Sequence, residues 1–281
     1  MPLRETDLLK RTGNLRLNPE GIWQASASPA LSYPEDGNER CFRLEDSSFW
    51  FRHRNDCIVE LFRRFPPDGP ILDVGGGDGY VTKRLLDEGL PAILLEPGVQ
   101  GAWNGHVRRQ IPHVVCGTLQ RAGFEPESVP AIGLFDVLEH IEDDAGFLRD
   151  LHRVLCPGGL LCLTVPAWSW LWSPSDDQAG HFRRYRLVDL KRLLSPMFSV
   201  EYASWFFSAL VPPIFLLRSL PWRLSVCGKK GGVLSGEKEH GTDSGLSSRM
   251  LAWILEGETC RIRAGKRIPF GASCLIMARK Q

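Results

Sequence analysis

Asp73, Gly75, Gly77 and Gly79 stand in the pattern D-x-G-x-G-x-G, with a second acid, Asp78, inside the glycine run. Glycines at that spacing let a backbone take positive φ and admit a ligand against the main chain. The apolar pair Ile71–Leu72 precedes them, and Tyr80, Val81, Leu85 and Leu86 follow at helical spacing. A strand, a tight turn and a helix start in that order build a ligand site at the carboxyl end of a strand in an open α/β sheet. The dinucleotide fingerprint G-x-G-x-x-G is not met. Counted from Gly75 its third glycine falls on Tyr80, and counted from Gly77 it falls on Thr82. Two carboxylates at this turn repel a pyrophosphate and suit a ligand that carries positive charge. A tight turn without a ligand is the plainer alternative.

Other residues with chemistry fall at the ends of apolar runs: Glu96, Thr118 with Leu119, Asp136 and Pro166. Glu96 lies about twenty residues past the turn, where an acid can accept from ribose hydroxyls; an exposed turn residue before Pro97 is the other reading. His140 and His181 are candidate general bases, because histidine titrates near neutral pH. Each has an equally plain role, as a helix-start residue and as a loop histidine bonding backbone. Trp168 to Tyr185 also carries Trp170, Trp172, Asp176, Asp177, Arg183 and Arg184. A mixed aromatic and charged loop of this kind reads as a substrate lid, and its arginines suit an anionic acceptor. Packing and ion pairs are the alternative. Trp50, Phe51 and Arg54 are placed to close the site from the opposite side.

The elements that must position these residues alternate. Helical spacing runs through Ser48–Phe65 and stops at Pro66-Pro67. Strands are expected at Ile71–Val74, Ala92–Leu95, His113–Cys116, Ala131–Phe135, Leu160–Val165, Phe198–Phe206 and Ser273–Ala278. Helices are expected after the glycine turn, at Asp143–Leu155, Leu187–Leu194 and Leu246–Arg263. That alternation is the signature of a doubly wound, mostly parallel sheet with helices on both faces. Residues 1–47 read as an irregular N-terminal arm. Residues 48–206 and 266–281 form the sheet domain, and 207–265 a helical insertion with a mobile loop at about 228–248.

Composition excludes several classes. A net charge of +1 over 281 residues provides no field for nucleic acid. The eight cysteines form no C-x-x-C pair, which argues for reduced thiols in a cytoplasmic protein and against a zinc site. The N-terminus is polar, without a signal-peptide core. Residues 205–222 are apolar but broken by Pro212-Pro213, too short for a membrane span; peripheral membrane contact or packing beneath the insertion fits them equally. No obligate protein partner is evident.

The glycine segment resembles motif I of the class I S-adenosylmethionine-dependent methyltransferases. Phe135-Asp136-Val137-Leu138-Glu139-His140-Ile141 resembles the D-V-L-E-H segment after their fourth strand. Arg153–Gly159 resembles their R-x-L-x-P-G-G turn before the fifth. The three lie in the family's order and spacing over residues 70–167. Phe49-Trp50-Phe51-x-x-Arg54, the stretch Leu171–Tyr185 and Arg267–Ser273 are similar to a bacterial subgroup of the methyltransferase 11, 12 and 23 types.

The resemblance implies a Rossmann-like α/β fold with a seven-stranded sheet. It implies S-adenosylmethionine as cofactor, with S-adenosylhomocysteine as product. Asp73, Gly75, Gly77, Gly79, Glu96, Thr118, Leu119, Asp136 and Arg54 are then cofactor-binding, with Arg54 near the methionine carboxylate. Thr118-Leu119 stands where the family often has an acid near the adenine amino group, and that acid is absent here. His140 and His181 are the catalytic candidates; Trp50, Trp168, Trp172, Arg184 and Tyr185 are the acceptor-binding ones. Ubiquinone-type O-methyltransferases resemble the Asp136–Glu139–His140 segment and can hold a divalent metal there. Cofactor contact and helix capping are the preferred roles here, and no metal is expected. The acceptor is a small molecule or a glycan- or lipid-linked one, methylated at O, with N and C as alternatives. A methyltransferase-like binding protein without catalysis and an NAD(P)-dependent oxidoreductase are the competing readings.

Overall fold

The computed structural model describes residues 4–25, 42, 45–46, 48–224 and 246–281. The loop expected at 228–248 lies outside the described residues, apart from its last three, which open a helix. The sheet has nine strands: β1 (Leu15–Leu17), β2 (Trp23–Ala25), β3 (Ile71–Val74), β4 (Ala92–Glu96), β5 (Val114–Cys116), β6 (Val129–Phe135), β7 (Leu155–Pro166), β8 (Phe198–Phe206) and β9 (Ser273–Lys280). Their spatial order is β1-β2-β5-β4-β3-β6-β7-β9-β8. From β2 through β7 the pairs are parallel, while β1 and the β9-β8 edge are antiparallel.

Seven of these strands are the expected sheet. The other two come from the arm, which is therefore not irregular throughout. Leu15-Arg16-Leu17 and Trp23-Gln24-Ala25 alternate in polarity. Asn18 turns the chain between them, its side-chain oxygen accepting from the Glu20 and Ile22 amides. Strands of three residues are too short to show a period in sequence; the free edge of β5 makes them strands.

β3, β4 and β5 are buried at every position, as central parallel strands must be. Adjacent residues feed opposite faces: Ile71 packs with Ile58, Phe62 and Leu85, whereas Leu72 packs with Leu134, Leu163 and Leu190. The Phe49–Arg64 helix covers the first face, beginning at Ser48, whose hydroxyl accepts from the Trp50 amide. The Leu246–Arg263 helix ties onto it through Arg263–Glu60 and His53–Glu258.

The apolar run at 205–222 divides in two. Phe206 and Phe207 are fully buried, while Leu216, Leu217 and Trp222 are exposed. Ser219 and Arg223 donate to the Leu171 and Trp170 carbonyls, so this segment packs against the lid loop. Among the described residues, no helix is long and apolar enough to cross a membrane.

Candidate active site

β4, β3 and β6 are adjacent and parallel, so their carboxyl ends lie side by side, where open α/β sheets form a ligand crevice. After β3 the chain turns through Gly77 (φ 57°) and Gly79 (φ 79°), and the Tyr80–Asp87 helix begins. A Cβ on Gly79 would lie 2.4 Å from the Ile111 Cδ1, so the turn is locked against its neighbours. A Cβ on Gly77 would meet nothing within 4 Å. That open cradle at positive φ is where a ligand can lie against backbone. Glu96, at the end of β4, holds the turn in place: its carboxylate accepts from the Gly77 amide at 2.8 Å and the Gly98 amide at 2.7 Å. Burial nonetheless pushes Glu96 up to about 7, against the pull of the two amides.

Asp73 is fully buried. One oxygen accepts from the Thr82 hydroxyl at 2.6 Å; the other has no partner. Burial pushes it up to about 6. Asp73 thus lies beneath the turn and braces it through Thr82 at the start of the following helix. Asp78 is also buried and accepts from the Asn104 amide group at 2.8 Å.

Arg54 reaches from the Phe49–Arg64 helix to Asp136, directly after β6, at 2.6 Å. Thr164 on β7 donates to the other Asp136 oxygen at 2.9 Å. Asp136 has φ 55°, an uncommon conformation for a residue with a side chain. The Arg54 Nε is buried with no partner. A cation with an unused donor beside a strained strand end has the form of a ligand-binding group. Thr118 is half-buried just past β5, and the Leu119 side chain after it is buried in the core.

One short turn beyond Asp136, Glu139, His140 and His181 converge: one ligand atom from each lies within 4.8 Å of the others. The two imidazoles meet edge to face, with ring centroids 4.7 Å apart. Burial first, and His181 second, hold His140 down at about 4. Glu139 is 1% exposed, and its Oε2 has no partner. Burial and the nearby Asp136 charge push Glu139 well above the usual carboxylate range. His181 is fixed by Asp176, which accepts from its Nδ1 at 2.9 Å.

The model of the Methyltransferase domain family matches residues 49–201, more than half of the chain. The chain belongs to this methyltransferase family. Curated relatives agree. A probable S-adenosylmethionine-dependent methyltransferase of Mycolicibacterium smegmatis is 29% identical over 174 residues, covering 60% of this chain and 66% of the relative. One of Mycobacterium tuberculosis is 27% identical over 175 residues, covering 60% and 62%. The chain thus spans less than two thirds of the length of each of these relatives. Among solved structures, a Thermotoga maritima SAM-dependent methyltransferase shares the fold, with TM-score 0.52, 16% identity and coverage of 88% and 95%. Haemonchus contortus phosphoethanolamine N-methyltransferase 2, solved with S-adenosyl-L-methionine, has TM-score 0.52, 17% identity and coverage of 88% and 57%.

In this methyltransferase-family chain, the Trp168–Tyr185 loop differs from the lid that the sequence suggests. Arg184 is no free anion binder. Its Nε and Nη2 donate to Asp176 at 2.7 and 3.0 Å, and its Nη1 to the Ala167 carbonyl. Tyr185 is buried, its hydroxyl donating to Asp144 at 2.9 Å. Trp168 stacks on Trp205 and donates to the Gly271 carbonyl; Trp50 stacks on Phe207 at 3.9 Å. Trp172 donates to Asp177. Packing and ion pairs, the plainer reading, describe most of this loop. Asp176 is the residue that sequence reasoning undervalued. Its signal was local: Ser173-Pro174-x-Asp176 is a capping box, with the Ser173 amide donating back to Asp176 at 2.9 Å. Glu45 was missed altogether. It pairs with Arg109, whose guanidinium lies over the Tyr80 ring beside the turn.

Proposed function

We propose that the chain transfers a methyl group from S-adenosylmethionine to a small-molecule or a lipid- or glycan-linked acceptor, at oxygen in preference to nitrogen or carbon. The observation that carries this reading is the juxtaposition, around β6, of two unlike groups. The Arg54–Asp136 pair and the glycine turn form the donor side, and Glu139, His140 and His181 form the other. The sulfonium supplies an activated methyl and its own leaving group, so no covalent enzyme intermediate is needed.

The residues fit that donor. The unpartnered Nε of Arg54 suits a carboxylate, with Asp136 beside it for an ammonium. The carboxylate of Glu96 has lone pairs left for ribose hydroxyls, and Gly77 leaves room for them. Thr118 and nearby backbone groups are left for the adenine. On the other side, two nitrogens and a carboxylate face the acceptor, where they orient it and draw off its proton. His140, neutral at neutral pH, is able to accept a hydrogen bond from the acceptor.

A lipid-linked acceptor is supported by the exposed Leu216, Leu217 and Trp222, on a segment anchored to the lid loop. Buried free thiols at Cys57, Cys162 and Cys274 suit a reducing compartment such as the cytoplasm. Titration calorimetry with S-adenosylmethionine and S-adenosylhomocysteine tests the donor. One equivalent of each is expected to bind, and no heat at millimolar ligand would remove the reading.

A further inference from the structure

The Leu246–Arg263 helix carries apolar side chains on two faces, where a surface helix ordinarily has one such stripe. Leu255 and Ile262 are buried in the core with Ile58 and Leu61. Trp253, by contrast, is 74% exposed, and with Ile254 it lines a groove of about 650 Å³. Ile268, Pro269 and Phe270 line it too. That is the size and character of a small-ligand site. Its inner polar groups are already spent. The Ser208 hydroxyl and amide and the Phe207 amide donate to Glu258, which also pairs with His53 at 3.0 Å. At the rim stand the exposed Glu256 and Arg261; the Arg261 Nη2 donates to the Arg267 carbonyl, and Lys266 and Arg267 are themselves exposed. Gly257 keeps the groove open. A glycine in mid-helix is unfavourable relative to alanine, yet a Cβ there would meet nothing within 4 Å.

The register of the sheet fixes where this groove lies. Phe206 at the end of β8 pairs with Ser273 at the start of β9, and Ser273 pairs with Pro166 at the carboxyl end of β7. β7 runs parallel to β6, and β6 to β3. Ser208 and Phe270 therefore stand at the end of the sheet that carries the glycine turn. The Phe270 ring lies 5.4 Å from that of Trp168, which follows β7. We propose that the groove binds the linear alkyl chain of an amphiphilic acceptor with an anionic head, the chain against Trp253, Ile254 and Phe270 and the head towards Arg261. The stretch 225–245 is a poor occupant by composition: its apolar side chains are Val226, Cys227, Val233 and Leu234, among glycines, lysines and glutamates. A chain anchored in the groove holds the acceptor at the donor end of the sheet. Binding of the part that does not react then positions the part that does.

This deepens the methyltransferase reading and rests on it for the use of the bound molecule, though not for its binding. The test titrates the full chain by calorimetry with octyl, decyl and dodecyl phosphate below their micellar concentrations. One equivalent is expected, with affinity rising about two- to fourfold per methylene. Gly257→Leu should fill the groove and weaken decyl phosphate about tenfold or more. Its melting temperature should hold or rise, since leucine favours a helix over glycine. Arg261→Gln should weaken decyl phosphate about two- to fivefold and leave decanol unchanged. Affinity independent of chain length, or unchanged in Gly257→Leu, overturns the groove. Binding to anionic vesicles without binding of monomeric decyl phosphate overturns it in favour of a membrane face. Binding that appears only when residues 225–245 are exchanged for a glycine-serine linker of equal length overturns it in favour of that segment. Equal affinity for decyl phosphate and decanol overturns the anionic head. Chain binding without S-adenosylhomocysteine binding overturns the donor reading alone, and the reverse overturns the groove alone.

Discussion

The buried carboxylates at the glycine turn and Asp176 in the Trp168–Tyr185 loop are in opposite electrostatic states. On the donor side Asp73 and Glu96 are pushed up to about 6 and 7 by burial, and only neutral donors contact them: the Thr82 hydroxyl and two glycine amides. In the lid, burial would also push Asp176 up. There the hydrogen bonds from His181 and Arg184 outweigh it and hold the carboxyl down at about 2. The difference lies in what each group already binds. Asp176 has its cation and serves the architecture. Glu96 has none, so part of its free energy of ionisation is left for a ligand to recover.

The same chemical change should therefore act in opposite ways on the two sides. Asp176→Asn strands the Arg184 guanidinium in a half-buried site and releases His181. Breaking a buried pair from one side costs about 3–5 kcal/mol, and denaturant unfolding should show a loss of that order. A loss below about 1 kcal/mol would mean that the lid is not held by this pair.

Arg54→Ala removes the unpartnered donor of the crevice and leaves Asp136 with Thr164 alone. The loss of a hydrogen bond to a charged group is about 1.5–3 kcal/mol. Affinity for S-adenosylhomocysteine should fall by roughly 10–100-fold, and an unchanged constant would place the donor carboxylate elsewhere.

Asp73→Asn keeps the acceptor for Thr82 and puts an amide where an oxygen has no partner. Stability at pH 8 should stay within about 1 kcal/mol of wild type or rise, in contrast to Asp176→Asn. A large loss of stability would show that the Asp73 charge supports the turn.

The pH dependence follows from the same signs. Glu96 and Asp73 have folded pKa values above their unfolded ones of 4.5 and 3.8. Their contribution to stability is complete below those unfolded values and is lost as pH rises through about 6 to 7. Asp176 does the reverse: its contribution is present above 3.8 and is lost as pH falls towards 2. Thermal melts should show the first loss shrinking in Asp73→Asn. Binding of S-adenosylhomocysteine near pH 6.5 should release protons as Glu96 ionises, which calorimetry in two buffers of different ionisation enthalpy measures.

The smallest effect on stability is expected at the exposed apolar positions of the 205–222 segment. Leu217→Ser with Trp222→Ser should change stability by no more than about 0.5 kcal/mol per site, since both side chains are exposed. Sedimentation with anionic vesicles should nonetheless lose any bound fraction, and unchanged sedimentation would detach this face from a lipid-linked acceptor.

Legibility in the sequence followed the range of the interactions. The glycine turn, the acid at the end of β4 and the seven-strand alternation were readable because each depends on neighbours within a few residues or one βα unit. Glu96 shows the limit. Its position could be read, but not that its two oxygens close the turn through Gly77 and Gly98. Leu119 marks the same limit: its place at a strand end could be read, but only packing decides that its side chain is buried in the core. Arg184 and Tyr185 have the residue types of a substrate contact, yet their polar groups are taken by Asp176 and Asp144.

What the chain determined by itself is the glycine turn: a D-x-G-x-G-x-G segment whose spacing departs from the dinucleotide fingerprint, set in a parallel sheet. Local backbone conformation and strand order suffice for that. Only the tertiary structure decided the cluster of Glu139, His140 and His181. His181 lies some forty residues beyond Glu139 and His140, and the capped turn at Asp176 brings it back across the crevice. Convergence of three side chains from two distant segments is a property of packing, and no spacing along the chain encodes it.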